Sequence, residues 1–220
     1  MNATQTIAII GASGNMGGAI AKSLVKGNYN LLLQASQNEK VTGLVSELVA
    51  INPKASVEAI DCSFEASWEA DIIILAVPYT AEKEIAEKIK EVANQKIVIS
   101  ISNPLNETFD GLLTTELSAA EELQLLLPNA KVIKAFNTTF QANLTTPVIK
   151  GEMVDAFVAG NDEAAIETVS DLVKTAGFTP IVAGDLTVSR TLEQMQLLLI
   201  KLTIKNNYNW HAGWRILLDN

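Results

Sequence analysis

Apolar and polar residues alternate in blocks along this chain, and the block boundaries predict short strands followed by longer helices. Ile7 to Ile10 is a β-branched apolar run that reads as a buried strand, and Ala19 to Lys26 carries apolar residues at helical spacing. Leu31 to Ala35 reads as a second strand, followed by a helix from about Glu39 to Ile51 that Asn52-Pro53 ends. Ser36 or Asn38 is the expected cap of that helix. Val57 to Ile60 is a plausible third strand, with a short segment around Trp68 after it. Asp71 to Val77 holds six apolar residues in a row, the pattern of a parallel strand buried on both faces. It stops at Pro78, and Thr80 is expected to cap a helix from Glu82 to Val92.

The second half continues the alternation. Lys96 to Ser100 reads as a fifth strand, Asn103 to Thr115 as an irregular loop, and Ser118 to Leu127 as a helix ended by Pro128. Lys131 to Ala135 is a further strand. Val154 to Ala159 and Thr179 to Val182 are two more, around a helix from Asp162 to Thr175 that Gly177 stops. Val188 to about Asn207 reads as one long helix. Its Leu192, Met195, Gln196, Leu199 and Leu202 share a stripe wider than one sheet face needs, as core alone or as core plus a dimer contact. Helices between consecutive strands predict an α/β fold, a doubly wound, mostly parallel sheet with helices on both faces. Residues 1–220 are expected to form a single domain, with a small helical extension over about 185–220.

In such sheets a ligand sits at the carboxyl ends of the strands. One strand end carries a recognisable device. Ile7 to Ile10 runs into Gly11, Gly14 and Gly17, spaced by three, and then into the first helix. Gly11 permits the tight turn, Gly14 lets the backbone come close to a pyrophosphate, and Gly17 lets the helix lie against the sheet. The free N–H groups of the helix's first turn then face the anion. The spacing is G-x-x-G-x-x-G rather than the commoner G-x-G-x-x-G, and its position between strand and helix supplies the specificity.

The end of the second strand bears on which dinucleotide is held. An NAD site usually places an acid there for the ribose 2′-hydroxyl. Here Ser36, Gln37 and Asn38 are hydrogen-bond donors and Lys40 adds charge one helical turn later, a set that tolerates a 2′-phosphate and favours NADP(H). The arginine that would secure this is missing, and Glu39 acts in the opposite direction.

Composition narrows the partners. Sixteen basic residues against 25 acidic ones give a net charge of −9, which opposes a nucleic-acid surface. Cys62 is the single cysteine, expected to be a small buried or half-buried side chain, and with one histidine there is no zinc pattern. No apolar run approaches the roughly 18 to 20 residues needed to span a bilayer, and no signal peptide is read at the start. A cytoplasmic enzyme without membrane or nucleic-acid partners is the expectation.

Motifs spread over nearly the whole chain resemble a known family. They are Ile10-Gly-Ala-Ser-Gly-Asn-Met-Gly17, Ala76-Val-Pro78, Ile101-Ser-Asn-Pro-Leu105, Val132-Ile-Lys-Ala-Phe-Asn-Thr138 and Gly184-Asp-Leu-Thr-Val-Ser-Arg-Thr-Leu-Glu193. Together they look like the coenzyme F420-dependent NADP oxidoreductases, whose Rossmann-type unit is also similar to the cytosolic domain of STEAP-type metalloreductases. The resemblance implies hydride exchange between NADP(H) and a deazaflavin or flavin-like acceptor, usually in a homodimer. It implies that Ser13, Ser36 and Gln37 face the 2′-phosphate and that the amides of Gly14, Asn15 and Met16 face the pyrophosphate. Ala76, Val77 and Pro78 would line the cofactor path, with Ser102 beside it, while Asn103 and Asn137 would approach the nicotinamide. Two positions depart from the family. Gln37 stands where members often carry a phosphate-binding arginine, and Asn137 where the archaeal deazaflavin users have histidine.

Hydride transfer between two ring cofactors needs positioning and exclusion of water rather than an acid–base pair, so no catalytic side chain and no metal ligand is assigned. In the tail, His211 is expected to pack at an interface or the surface, and Trp210 and Trp214 either cover a flat ring or, as preferred, anchor the tail. Two other functions remain open. A β-hydroxyacid or imine reductase would need a lysine followed four residues later by asparagine, whereas Lys201 is followed by Lys205. An NADP(H) sensor without turnover would need nothing that this sequence lacks.

Overall fold

A computed structural model describes residues 4–114 and 116–217, and of Asn38 the backbone only. The expected loop from Asn103 therefore has its last residue, Thr115, outside the described residues; the rest holds one isolated bridge, Leu105 to Leu112. The first half alternates strand and helix: β1 Gln5–Ile10, α1 Asn15–Leu24, β2 Tyr29–Gln34, α2 Asn38–Ile51, β3 Ser56–Ala59, α3 Ser63–Glu69, β4 Ile72–Leu75, α4 Tyr79–Ile89, β5 Ile97–Ser100, α5 Ala119–Leu126 and β6 Lys131–Lys134. These six strands are parallel, in the order β3-β2-β1-β4-β5-β6. Ile7, Ile9, Ile72, Ile73 and Ile74 have no exposed surface, because helices cover both faces of the central strands. β3 lies at the edge and is mostly exposed.

The chain then departs from strict parallel winding. After β6 come a short helix, α6 Gln141–Thr145, and a two-stranded hairpin, β7 Val148–Ile149 with β8 Glu152–Met153, neither of which the apolar pattern announces. β9 Asp155–Gly160 follows, then α7 Glu163–Thr175, β10 Thr179–Gly184 and α8 Ser189–Lys205. β9 is antiparallel to β6 and pairs with it only through Ile133 with Gly160 and Lys134 with Ala159. The rest of β9 therefore runs past the tip of β6, beyond the carboxyl rim of the parallel strands. β10 pairs beside it, and α8 packs on this overhang through Leu192 against Phe157 and Ala159.

Three local expectations are corrected. α4 begins at Tyr79 with Pro78 as its N-cap residue, so Thr80 lies inside the first turn and caps nothing. The N-cap of α2 is Gln37, without a side-chain cap. Cys62 is exposed, because it stands at the turn between the edge strand β3 and α3. By contrast Ser118 caps α5 in a full capping box with Glu121, and Asp162 caps α7. No helix among the described residues is long and apolar enough to cross a membrane.

One buried ion pair ties the rim to the overhang. Lys134, at the end of β6, and Glu193, on α8, are both fully buried, with Nζ 2.6 Å from Oε1. Lys134 also donates to the Ser102 carbonyl at 2.6 Å, and Glu193 Oε1 accepts from the Ala119 amide of α5 at 3.0 Å. Removing one partner leaves an unpaired buried charge. Lys134→Met is therefore expected to cost on the order of 3–5 kcal/mol in urea unfolding. Lys134→Met with Glu193→Gln, which keeps an acceptor for Ala119, is expected to recover more than half of that loss.

Candidate functional site

The glycine turn is built by steric crowding. Gly11 has φ +89°, and a Cβ there would sit 2.4 Å from the Ala76 carbonyl oxygen at the tip of β4. A Cβ on Gly17 would sit 2.4 Å from the Gly11 carbonyl oxygen, so α1 could not start this close to the strand. The Gly11 and Ala12 amides both donate to the Gln34 carbonyl at the end of β2, at 2.8 and 3.0 Å. This fixes the loop between two strand tips. Gly14 is the N-cap of α1, with no side-chain cap and no acid in the first turn. The amides of Asn15, Met16 and Gly17 consequently have no acceptor among the described residues, and the helix dipole stands behind them.

These amides open on a cleft of about 660 Å³. Its floor is the rim of the parallel strands: Ala76, Val77 and Pro78 after β4, Ile101, Ser102 and Asn103 after β5, Phe136 and Asn137 after β6. Phe136 takes a left-handed conformation, φ +61°, and its carbonyl accepts from the Thr139 hydroxyl at 2.8 Å. That tight turn aims Asn137 into the cleft. Asn103 donates to the Asn137 carbonyl at 2.9 Å, and the Asn137 side-chain amide donates to Asn103 Oδ1 at 3.0 Å. The reciprocal pair fixes both carboxamides and leaves the buried Asn137 Oδ1 without a partner.

The opposite wall comes from the overhang and the tail. Gln196 and Ile200 reach the cleft from α8, and Phe140 from the turn before α6. Trp210 packs edge-on against Phe140, ring centroids 5.2 Å apart. Gln196 is 4 % exposed, and its Oε1 has no partner. Tyr79 closes one end, its hydroxyl donating to Glu122 at 2.6 Å. Burial, and then that hydrogen bond, push the phenol well above its ordinary range, so it stays neutral.

The residues singled out in the sequence fall into separate places. Gly14, Asn15, Met16, Ala76, Val77, Pro78, Ser102, Asn103 and Asn137 line the cleft. Ser13 and Lys40 line a neighbouring groove of about 450 Å³ that shares Gly14 and Asn15 with it, which puts a hydroxyl and an ammonium on the far side of the glycine ridge. Gly11 and Gly17 serve the turn itself. Ser36 and Gln37 are exposed at the tip of β2, and the Asn38 side chain lies outside the described residues. Gln196, Ile200 and Phe140 were not legible as site residues, since apolar periodicity cannot separate a core stripe from a cleft wall, whereas Trp210 stands at the cleft as the less favoured of its two readings had it. Of the tail residues, Trp214 packs among the apolar contacts of α8, and His211 Nε2 donates to the Thr146 carbonyl at 2.7 Å. Lys201 and Lys205 are exposed and do not line the cleft.

The donor set fits a pyridine dinucleotide from end to end. Unpartnered amide hydrogens at one end suit the diphosphate, and an unpartnered carboxamide oxygen on Asn137 suits the amide N–H of a nicotinamide.

Comparison with known proteins agrees with this arrangement. Residues 6–104 match the family model described as NADP oxidoreductase, coenzyme F420-dependent. The F420-dependent NADP reductase of Methanocaldococcus jannaschii is 33% identical over 211 residues, covering 90% of this chain and 92% of that protein. Metalloreductase STEAP3 of Rattus norvegicus is 26% identical over 194 residues, 88% of this chain but 37% of that protein. Among solved structures, a putative F420-dependent NADP-reductase from Arthrobacter sp. FB24 superposes with a TM-score of 0.83 over 97% of this chain and 100% of the other, at 23% identity, which speaks for the fold. Being 33% identical to such a reductase along almost its whole length, the chain belongs to the family of coenzyme F420-dependent NADP oxidoreductases.

Proposed function

We propose that this NADP-dependent oxidoreductase binds NADP(H) along the strand rim and exchanges hydride with a deazaflavin or flavin ring held against Trp210, Phe140 and Ile200. The observation that carries the proposal is the cleft itself: free amides of α1 at one end, an unpaired Asn137 oxygen on the floor, and an apolar wall facing them. When bound, NADP(H) supplies the hydride and the flavin-type ring takes it. The amides of Asn15 and Met16 hold the diphosphate. Ser13 and Lys40, with Ser36 and Gln37 at the tip of β2, take the 2′-phosphate. Asn103 locks Asn137, and Asn137 orients the nicotinamide carboxamide. Val77, Ile101 and Ile200 exclude water, which strengthens positioning and protects the hydride. No side chain in the cleft is assigned a role in the hydride transfer itself.

A cytoplasmic homodimer of single-domain subunits completes the proposal. Leu198, Leu202 and Ile204 are substantially exposed on α8, beside the tail that carries Trp210, and a second copy would cover them.

Cofactor choice is tested by fluorescence titration. NADPH is expected to bind about ten-fold more tightly than NADH, a difference of about 1.4 kcal/mol, and Ser36→Asp is expected to reverse the order. Equal affinities in the unsubstituted protein would refute the assignment of the 2′-phosphate to the β2 tip.

Turnover is tested by following nicotinamide absorbance with FMN, riboflavin and a deazaflavin as acceptors. Acceptor-dependent loss of NADPH absorbance is expected, and Trp210→Ala is expected to raise the acceptor KM several-fold with NADPH affinity unchanged. Tight NADPH binding with no acceptor-dependent oxidation would identify a sensor instead.

A further inference from the structure

Beneath the cleft floor lies a cluster of ionisable groups that the proposed hydride transfer leaves without a task. Glu82, on α4, is 4 % exposed and lines a second cavity of about 460 Å³ between α4 and α5, which it shares with Tyr79 and Glu122. On its other side, the Ser100 hydroxyl donates to Glu82 Oε1 over a long 3.5 Å. The Ser102 hydroxyl approaches the same carboxyl without completing a well-formed hydrogen bond, and Ser102 also lines the cleft. Glu82 thus stands between two cavities, with the buried, unpartnered Ser102 hydroxyl between it and the cleft.

The charges around it are unbalanced. Lys134 of β6 and Glu193 of α8 face Glu82, and Lys134 is bonded to Glu193. From α4, Tyr79 feels the Glu82 charge; from α5, Glu122 holds Tyr79, while Glu121 is paired with Arg190 of α8. One buried ammonium therefore serves two buried carboxyls. Glu193 is bonded through Oε1 to Lys134 and to the Ala119 amide, and its Oε2 has no partner, whereas Glu82 holds one long bond from Ser100 and lines a cavity.

We propose that Glu82 is the proton-relay residue of the reaction, exchanging its proton with the substrate cleft through the Ser102 hydroxyl and with solvent through the cavity between α4 and α5. The assignment rests on hydride transfer to a flavin-type ring. In that transfer the acceptor takes the hydride at one ring atom and a proton at another, so that NADPH, acceptor and H⁺ become NADP⁺ and reduced acceptor. With two flat rings filling the cleft, that proton comes through the floor. Glu82 releases it to Ser102 and is reprotonated from the second cavity; the reverse reaction runs the same path backwards. The electrostatics agree: burial pushes the Glu82 carboxyl up to about 7, with Lys134 and Ser102 pulling part of the way back. Such a group both gives and takes a proton near neutrality.

The test needs no acceptor. A positive nicotinamide above Ser102 favours the Glu82 carboxylate, so NADP⁺ binding at pH 7 is expected to release about half a proton per chain, and NADPH binding clearly less. The release is read by calorimetry in buffers of different ionisation enthalpy. In Glu82→Gln the difference between NADP⁺ and NADPH is expected to vanish with NADP⁺ affinity changed by less than about three-fold, and in Glu82→Asp to persist. An undiminished difference in Glu82→Gln, or equal release with both nucleotides in the unsubstituted protein, overturns the proposal. Where an acceptor supports turnover, Glu82→Gln and Ser102→Ala are expected to lower kcat at least ten-fold, and Glu82→Gln to remove the limb of the pH profile near 7. A limb that persists in Glu82→Gln also overturns it. Absence of turnover in the unsubstituted protein counts against hydride transfer, and the proton count still decides whether Glu82 is coupled to the cleft.

Discussion

The structure depends on how closely three pieces of backbone can approach one another at the first turn. Gly11, Gly17 and the Ala76 carbonyl occupy space that a single methyl group would overfill. Because nothing intervenes, α1 begins almost on top of the strand tips, and its uncapped amides point across the rim rather than into solvent. A helix start with no side-chain cap and no acid in its first turn gives up local stability and leaves its amide donors free. α5 and α7, whose starts are not needed for binding, are capped in the ordinary way by Ser118 and Asp162.

The rim alone would be a shelf. It becomes a cleft because β9 is antiparallel and joined to β6 by only two residue pairs, so that β9 and β10 stand beyond the strand tips and carry α8 with them. The buried Lys134–Glu193 pair clamps α8 to the end of β6 and to the start of α5. Gln196, three residues beyond Glu193, and Ile200, one turn further, are thereby held as a wall of the cleft. A charge pair this deeply buried gives little net stability, but it tolerates one relative placement of three elements, which is what a hydride donor and acceptor require.

The same clamp gives the site its second, ionic layer. Above the floor the cleft is lined by carboxamides, hydroxyls and apolar groups, which suits transfer between rings that carry their own chemistry. Below it, the carboxyls of Glu82 and Glu193 share one ammonium. The buried charges thus lie behind the cleft lining rather than on it.

Much of this was already present in the order of residues. Short-range rules determine the strand–glycine–helix opening, the six parallel strands and the presence of the helices between them, since apolar runs, glycine and proline act within a turn or two of themselves. The same rules place Gly14, Val77, Asn103 and Asn137 on one rim, because strand ends in a doubly wound sheet converge. They did not reveal α6, the hairpin, the exposure of Cys62 or the direction of β9, which follow from where the chain runs after β6 rather than from any local pattern. Nor did they distinguish Gln196 and Ile200 from core, or find Glu82. A buried carboxyl on an amphipathic helix looks in sequence like one of the many glutamates on its solvent face. Only packing, which removes water and brings Lys134, Glu193 and Ser102 within reach of it, decides that this one differs.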